Sequence, residues 1–446
     1  MSKDDTTLVK PASRSSGSSR WVLSGYDLAS NYLVLRGTWV FDRELDVERL
    51  RGSFGELLSL YPHVAGRMVA GKAVDLGGQG APFTVAADPE LGVEQVRERS
   101  MDHAFIDRLA RPLSLSRMKR GHVAPMTVTL TRLRDGHALG VRASHSFLDG
   151  DSFYTMISNW SRLARGLAVD PPTLDQSLIP SFSGRTKAEA IRDATELGWT
   201  KISVLGIAGL LPKVLLGSLN RRAEAIHFVP SVLRRLKEAA SQEAGGAEVT
   251  TNEALTAHLT MMCGRLAKLE AGTTQEVVTI MNCRERLGGV PSTFVGNASF
   301  SVRNGDITVG ETLGEIAVKI HERLRPALEP GSPELLRQFT LGTDLLRYRV
   351  LMAPTDAVGM HSRRTTTVYT NNFARLPIYD VDFGDDSSPV KPAFVIPHNL
   401  PDPVLIWPAP PERGGVEVYL TSAFAEAVMR LDRDDPWWSE MRRFEA

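Results

Sequence analysis

Apolar and polar residues alternate through residues 126–143, with Met126, Val128 and Leu130 followed by Leu139, Val141 and Ala143. Asp135-Gly136 lies between the two runs, and a period of two on either side of such a pair predicts a β-hairpin. After His145 the period lengthens. Phe153, Met156, Ile157, Trp160 and Leu163 recur at three- and four-residue steps, which predicts an amphipathic helix ending near Gly166. The stretch "ASHSFLDGDSF" (143–153) therefore falls where a strand gives way to a helix.

The same patterning continues downstream. "AEAIHFVPSVLRRLKEAA" reads as a strand followed by a helix that Ser231 would cap. "TTNEALTAHLTMMCGRLAKLE" carries the capping-box spacing Thr250-x-x-Glu253 and an apolar stripe of Leu255, Leu259, Met262, Leu266 and Leu269. "EVVTIMNCRERL" and "RTTTVYTNNF" have strand composition, and "GVEVYLTSAFAEAVMRL" reads as a strand running into a helix. The start of the chain is polar and Ser-rich and predicts a flexible tail over 1–20. A Pro-, Ser-, Thr- and Asp-rich stretch at 168–190 begins the passage between two halves. The expected organisation is an N-terminal half over 21–190, a crossover over 191–225 and a C-terminal half over 226–446. No period of 20–50 residues is visible, which argues against a solenoid. The class is mixed α/β.

Composition narrows the function. Lys plus Arg equal Asp plus Glu at 52 each, without the basic excess expected of a nucleic-acid binder. The two cysteines, Cys263 and Cys283, lack metal-ligand spacing and are too few for a disulfide framework, so a reducing, cytoplasmic setting is expected. The most apolar window, "ISVLGIAGLLPKVLLG" (202–217), is too short for a membrane span and is broken by Pro212 and Lys213. It reads as a helix lining an apolar cleft, with contact at a membrane interface as the alternative. No transmembrane segment is expected, and the chain is expected to be a monomer.

Several enzyme signatures are missing: G-x-S-x-G, the P-loop and H-E-x-x-H. The ten histidines form no metal-type cluster, and no metal site is expected. What remains is H-x-x-x-D-G at His145, Asp149 and Gly150. Alone, it fits either a satisfied histidine ahead of an Asp-Gly turn or a catalytic base at a strand-to-helix junction.

Further segments occur with it in a fixed order. They are "WVLSGYDL" (21–28), "LLSLYPHVAGRM" (57–68, with Tyr61, Pro62, Ala65, Gly66 and Arg67), "HSFLDG", "NCRERL" (282–287), "FVGNA" (294–298) and "TNNFARLPIYDVDFG" (370–384). In this ordered set the chain resembles the BAHD acyltransferases, the acyl-CoA-dependent family within the HxxxD superfamily. It departs from the family pattern after "DFG", where Asp385 and Asp386 replace Trp-Gly. It departs again before "RLP", where Phe373 replaces Trp and Asn371 and Asn372 replace hydroxyl residues.

The resemblance implies two chloramphenicol-acetyltransferase-like domains, mixed sheets flanked by helices, with an active-site channel at the domain interface. It implies an O-acyltransferase that uses acyl-CoA as co-substrate, holds no tightly bound cofactor and acts on a small hydroxylated, secondary-metabolite-like acceptor. His145 becomes the general base of a direct transfer, a task suited to a side chain that titrates near neutrality. Asp149 points away from the substrates and pairs with an arginine, here Arg284, while Gly150 frees the turn. The oxyanion needs a donor. Asn371 or Asn372 has an amide able to supply it, and a backbone N–H serves equally well. Asp382, Phe383 and Gly384 form a scaffold motif. Open alternatives are an amine acceptor, a carrier-protein-bound donor (disfavoured by Ser144 where condensation domains double the histidine) and a non-catalytic ligand-binding relative.

Overall fold

The computed structural model describes residues 4–13, 20–202, 223–353, 367–397 and 404–421. The chain forms two compact units. The first comprises Met1–Ser181, Gly289–Ala298 and Leu376–Asn399, and the second Phe182–Gly288, Ser299–Arg375 and Leu400–Ala446. Each unit is thus discontinuous in sequence, and the division falls at Ser181 rather than at 190.

The first unit is built on a six-stranded sheet in the order Asp5–Val9, Ala81–Asp88, Met126–Leu133, His137–Ser144, Val34–Phe41 and Phe394–Ile396. The expected hairpin is present, with Met126 opposite Ala143, Val128 opposite Val141 and Leu130 opposite Leu139. Directly opposed residues share a face, so the two apolar runs cover one side of the sheet together. At the turn, Leu133 N–H donates to the Gly136 carbonyl at 2.8 Å. A Cβ on Gly136 would lie 2.0 Å from the Phe41 carbonyl oxygen, so only glycine lets the turn sit against that strand.

Aromatic rings fill the space beside the helices Val47–Leu60 and Gly150–Ala164. Trp160 meets Phe54 at 5.1 Å between ring centroids, and Trp39 meets Phe153 at 6.2 Å. A second cluster joins Val40, Leu133 and Ala138 to Val96, Phe105 and Ile396. All eight residues of His137–Ser144 are buried, so the strand leading to His145 is fixed along its length.

Residues 5–9, expected in a flexible tail, instead form a strand paired antiparallel with Ala81–Asp88. It is a short edge strand in which only Val9 is buried and Leu8 is exposed, so its five residues carry no apolar-polar alternation to read.

The second unit carries its own six-stranded sheet. The order is Ala223–Phe228, Val416–Thr421, Val404–Pro408, Thr367–Asn372, Thr274–Asn282 and Ser299–Thr308. The strand Thr367–Asn372 runs parallel to both its neighbours, so this sheet too is mixed. The helix Thr251–Leu266 begins at the predicted capping box, with Thr250 and Glu253 each accepting the other's backbone N–H. The helix Pro230–Glu243 differs from expectation in its cap. Val229 is the N-cap and Pro230 the first helical residue, where a missing N–H costs nothing. Ser231 lies inside the helix.

Part of the expected crossover is regular structure. The helix Lys187–Glu196 packs Ala190 and Ala194 against Leu341 and Leu345, and Thr200–Lys201 pairs with Met352–Ala353. The apolar window 202–217 and the helix expected after Thr421 lie outside the described residues, apart from Ile202. Among the described residues no helix is long and apolar enough to cross a membrane.

Candidate active site

His145 follows directly on His137–Ser144, and its backbone N–H donates to the Leu33 carbonyl at 3.0 Å, extending the ladder by one bond. Phe147 N–H then donates to the Ser144 carbonyl at 3.1 Å and turns the chain back. The turn rests on an aromatic stack. Phe147 lies 5.9 Å from Trp21, and Trp21 lies 4.9 Å from His63.

Asp149 is the N-cap of the helix Gly150–Ala164. Its Oδ1 accepts from Ser152 N–H at 2.9 Å and its Oδ2 from Ala298 N–H at 3.1 Å. The carboxylate thus ties the strand-to-helix turn to the segment Gly296–Ala298, 149 residues away in sequence. Gly150 departs from the expectation attached to it. It is the first residue of the helix and is not among the glycines with positive φ, so the turn does not depend on left-handed freedom there.

Two residues without an assigned role complete the surroundings of His145. Asn297 Nδ2 donates to the His145 carbonyl at 2.8 Å and to Asp27 Oδ1 at 2.8 Å. Asp27, fully buried, also accepts from Asn297 N–H at 3.0 Å and from Ser24 N–H at 2.8 Å. The capping-box spacing Ser24-x-x-Asp27 and the "GN" of "FVGNA" were visible in the sequence, but nothing local indicates that they meet.

The imidazole keeps partial solvent access as a residue, yet its Nδ1 is sealed and closes no hydrogen bond. Burial holds the ring's pKa below the ordinary 6.5. The backbone carbonyl of His145 itself, Asp149, Asn297 and Asp27 act in the opposite direction and are outweighed. At neutral pH the ring is therefore uncharged and able to accept a proton.

His63, in the "YPHVAGR" segment, is a different kind of histidine. It is fully buried, neither ring nitrogen closes a hydrogen bond, and burial takes its pKa down to about 3. The unfolded chain binds a proton below 6.5 that the folded chain refuses until about pH 3. Stability from this group is therefore complete above 6.5 and drains away as pH falls through that window, by up to about 1.4 kcal/mol per pH unit. Urea titrations at stepwise lower pH should show this slope, and His63→Phe should flatten it. An unchanged slope in the variant would place the acid sensitivity elsewhere.

The DFG motif forms a tight loop in the first unit. Asp382 Oδ1 accepts from Gly384 N–H at 2.9 Å and Val390 N–H at 2.8 Å, and Arg165 lies 3.9 Å from Oδ2. Phe383 packs between Trp160 and Phe41, at 5.3 and 6.0 Å. A Cβ on Gly384 would come within 2.1 Å of the Ser388 carbonyl oxygen. The unusual Asp385 and Asp386 belong to the same construction: Asp385 Oδ1 accepts from Ser387 and Ser388 N–H, and Asp386 pairs with Arg165.

Arg284, Asn371 and Asn372 belong to the second unit. Arg284 is buried, and its backbone N–H and Nη1 donate to Asn282 Oδ1 at 3.0 and 3.2 Å. Asn371 and Asn372 are successive residues of one strand and so project to opposite faces. Asn372 donates to Asn252 Oδ1 and accepts from Ala374 N–H, while Asn371 is buried.

Comparison with known proteins adds relatives to this geometry. The family model described as "Transferase family" matches residues 2–430. A hydroxycinnamoyl-CoA:5-hydroxyanthranilate N-hydroxycinnamoyltransferase of Avena sativa is 24% identical over 413 residues, covering 85% of this chain and 87% of the relative. Rosmarinate synthase of Plectranthus scutellarioides is 27% identical over 409 residues with the same coverage. Among solved structures, vinorine synthase superposes with a TM-score of 0.68 at 17% identity, covering 97% of both chains. TRI101 of F. graminearum, complexed with coenzyme A and T-2 mycotoxin, gives 0.69 at 18% identity, covering 94% of this chain and 98% of its own.

Proposed function

Because the chain belongs to the Transferase family of BAHD acyltransferases, we propose that it moves an acyl group from acyl-CoA to a hydroxyl of a small, secondary-metabolite-like acceptor, with His145 as the general base. The observation that carries this reading is a neutral, partly accessible imidazole fixed at a strand end by backbone hydrogen bonds. The coenzyme A complex of TRI101 supports the choice of donor.

In the proposed step the acceptor oxygen attacks the thioester carbonyl while His145 takes the hydroxyl proton. The C–O bond forms, the tetrahedral intermediate collapses, the C–S bond breaks, and the imidazolium returns its proton to the departing thiolate. A thioester is reactive enough to need no enzyme nucleophile. Both cysteines are buried, and burial pushes the Cys263 thiol up to about 12, far from a usable thiolate.

An amine acceptor has specific support as a second reading, since the Avena relative is named as an N-acyltransferase. The same base serves either nucleophile.

Mass spectrometry of the protein with panels of acyl-CoAs and of hydroxylated and amine acceptors tests the reading. The expected result is an acylated acceptor together with free CoA. Transfer from an acylated carrier protein but from no acyl-CoA would overturn the donor. Intact-mass measurement with acyl-CoA alone should show no covalent adduct, and a stoichiometric acyl adduct would refute direct transfer.

A further inference from the structure

His145 sits beside three buried polar side chains, Asp27, Asp149 and Asn297, whose division of labour differs from that of a hydrolase triad. In a hydrolase triad a carboxylate holds the histidine ring through Nδ1–H. Here Asp149, the nearest acidic residue in sequence, accepts backbone N–H groups on both oxygens. The sealed Nδ1 closes no hydrogen bond. The His145 carbonyl is, however, the polar group that most favours a proton on its own ring. That carbonyl is held by Asn297, whose other amide hydrogen goes to Asp27.

Both acceptors around Asn297 Nδ2, a carbonyl and a carboxylate, require a donor, which fixes the orientation of the amide. Asp27 further clamps Asn297 through the backbone N–H and is itself held by Ser24. Asp27 and Asn297 lie 270 residues apart in sequence, so the contact exists only in the folded unit.

We propose that Asn297, backed by the buried Asp27, is the positioning residue for His145, setting the ring through its carbonyl and so directing Nε2 towards the acceptor. This rests on the reading of His145 as the base. Among the described residues, Asp27 and Asp149 are charged groups that act on the ring, both favouring its protonated form, and Asn297 acts in the same sense. Removing the Asn297 amide, or the Asp27 charge, therefore lowers the ring's pKa further and leaves a weaker, less well aimed base.

The test is imidazole ¹⁵N NMR of histidine-labelled protein, with the His145 signal identified by its loss in His145→Ala, followed by kinetics. In Asn297→Ala the His145 titration should move to lower pH and its tautomer ratio should change. kcat should fall on the order of 10²-fold, the scale of a misplaced reacting group, while KM for acyl-CoA stays within about threefold. Asp27→Asn keeps one acceptor oxygen for Asn297 and should show the same direction with a smaller loss, which covers a failure of the alanine variant to fold. An unmoved His145 titration in folded Asn297→Ala or Asp27→Asn protein would overturn the inference. If His145→Ala retained activity, the function reading itself would fall, whereas an inactive His145→Ala beside a fully active Asn297→Ala would sink only the positioning role.

Discussion

Replacing His145 with alanine should lower acyl transfer by about 10²–10⁴-fold, the range attributable to a general base, while leaving the fold intact. The second half of this expectation follows from how the residue is held. Its backbone N–H is bonded to Leu33 and its carbonyl to Asn297, and neither bond involves the imidazole. Circular dichroism and a melting temperature close to wild type would confirm the scaffold, and steady-state rates would report the chemistry. Residual activity within about tenfold of wild type would remove His145 as the base.

The pH dependence of the wild-type enzyme tests the same assignment from another side. A base works only when deprotonated, and burial holds this ring below 6.5. kcat/KM should therefore be level through neutrality and decline only at pH values below that ordinary histidine value. An acid limb above 6.5 would mean that another group controls the rate.

Asp149→Ala should cost roughly 1.5–5 kcal/mol of stability. Loss of an N-cap acceptor accounts for about 0.5–2 kcal/mol, and an unsatisfied buried N–H at Ala298 adds about 1–3 kcal/mol. Both bonds join parts of the turn that carries His145, so activity should fall as well, through displacement of that side chain. Asp149→Asn keeps one acceptor oxygen and should lose about half as much. Urea denaturation of the three proteins makes the comparison. An Asp149→Ala protein within 0.5 kcal/mol of wild type, a change typical of ordinary surface substitutions, would show that the cap and the Ala298 contact do not support the turn.

The parts of this molecule that were legible in its sequence are those governed by short-range rules. The hairpin 126–144, the helix after it and the capping box at Thr250 each declare themselves within a few residues. Local rules misled where two signals competed, as at Pro230, whose fixed φ and missing N–H set the helix start one residue ahead of Ser231. They were silent where no alternation exists to read, as in the edge strand Asp5–Val9, whose Leu8 is exposed beside a buried Val9. His145 could be singled out because ordered family segments surround it. The residues that hold it could not, because Asp27, His145 and Asn297 are separated by more than a hundred positions. No period or cap relates such residues before the chain has folded.

One feature of the first sheet bears on how the protein is made. Its strand Val34–Phe41 has His137–Ser144 on one side and Phe394–Ile396 on the other. At about 5–20 residues per second, a ribosome delivers that last strand roughly 20–70 s after Phe41 has been synthesised. Throughout that interval the nascent chain carries an unpaired edge formed by Trp39 and its apolar neighbours, the kind of surface that pairs with other chains. The Asn297 clamp also arrives late. The N-terminal half expressed alone should therefore be sticky and leave His145 without its Asn297 contact, and chaperones that shield exposed strand edges during synthesis should raise the yield of the full-length enzyme.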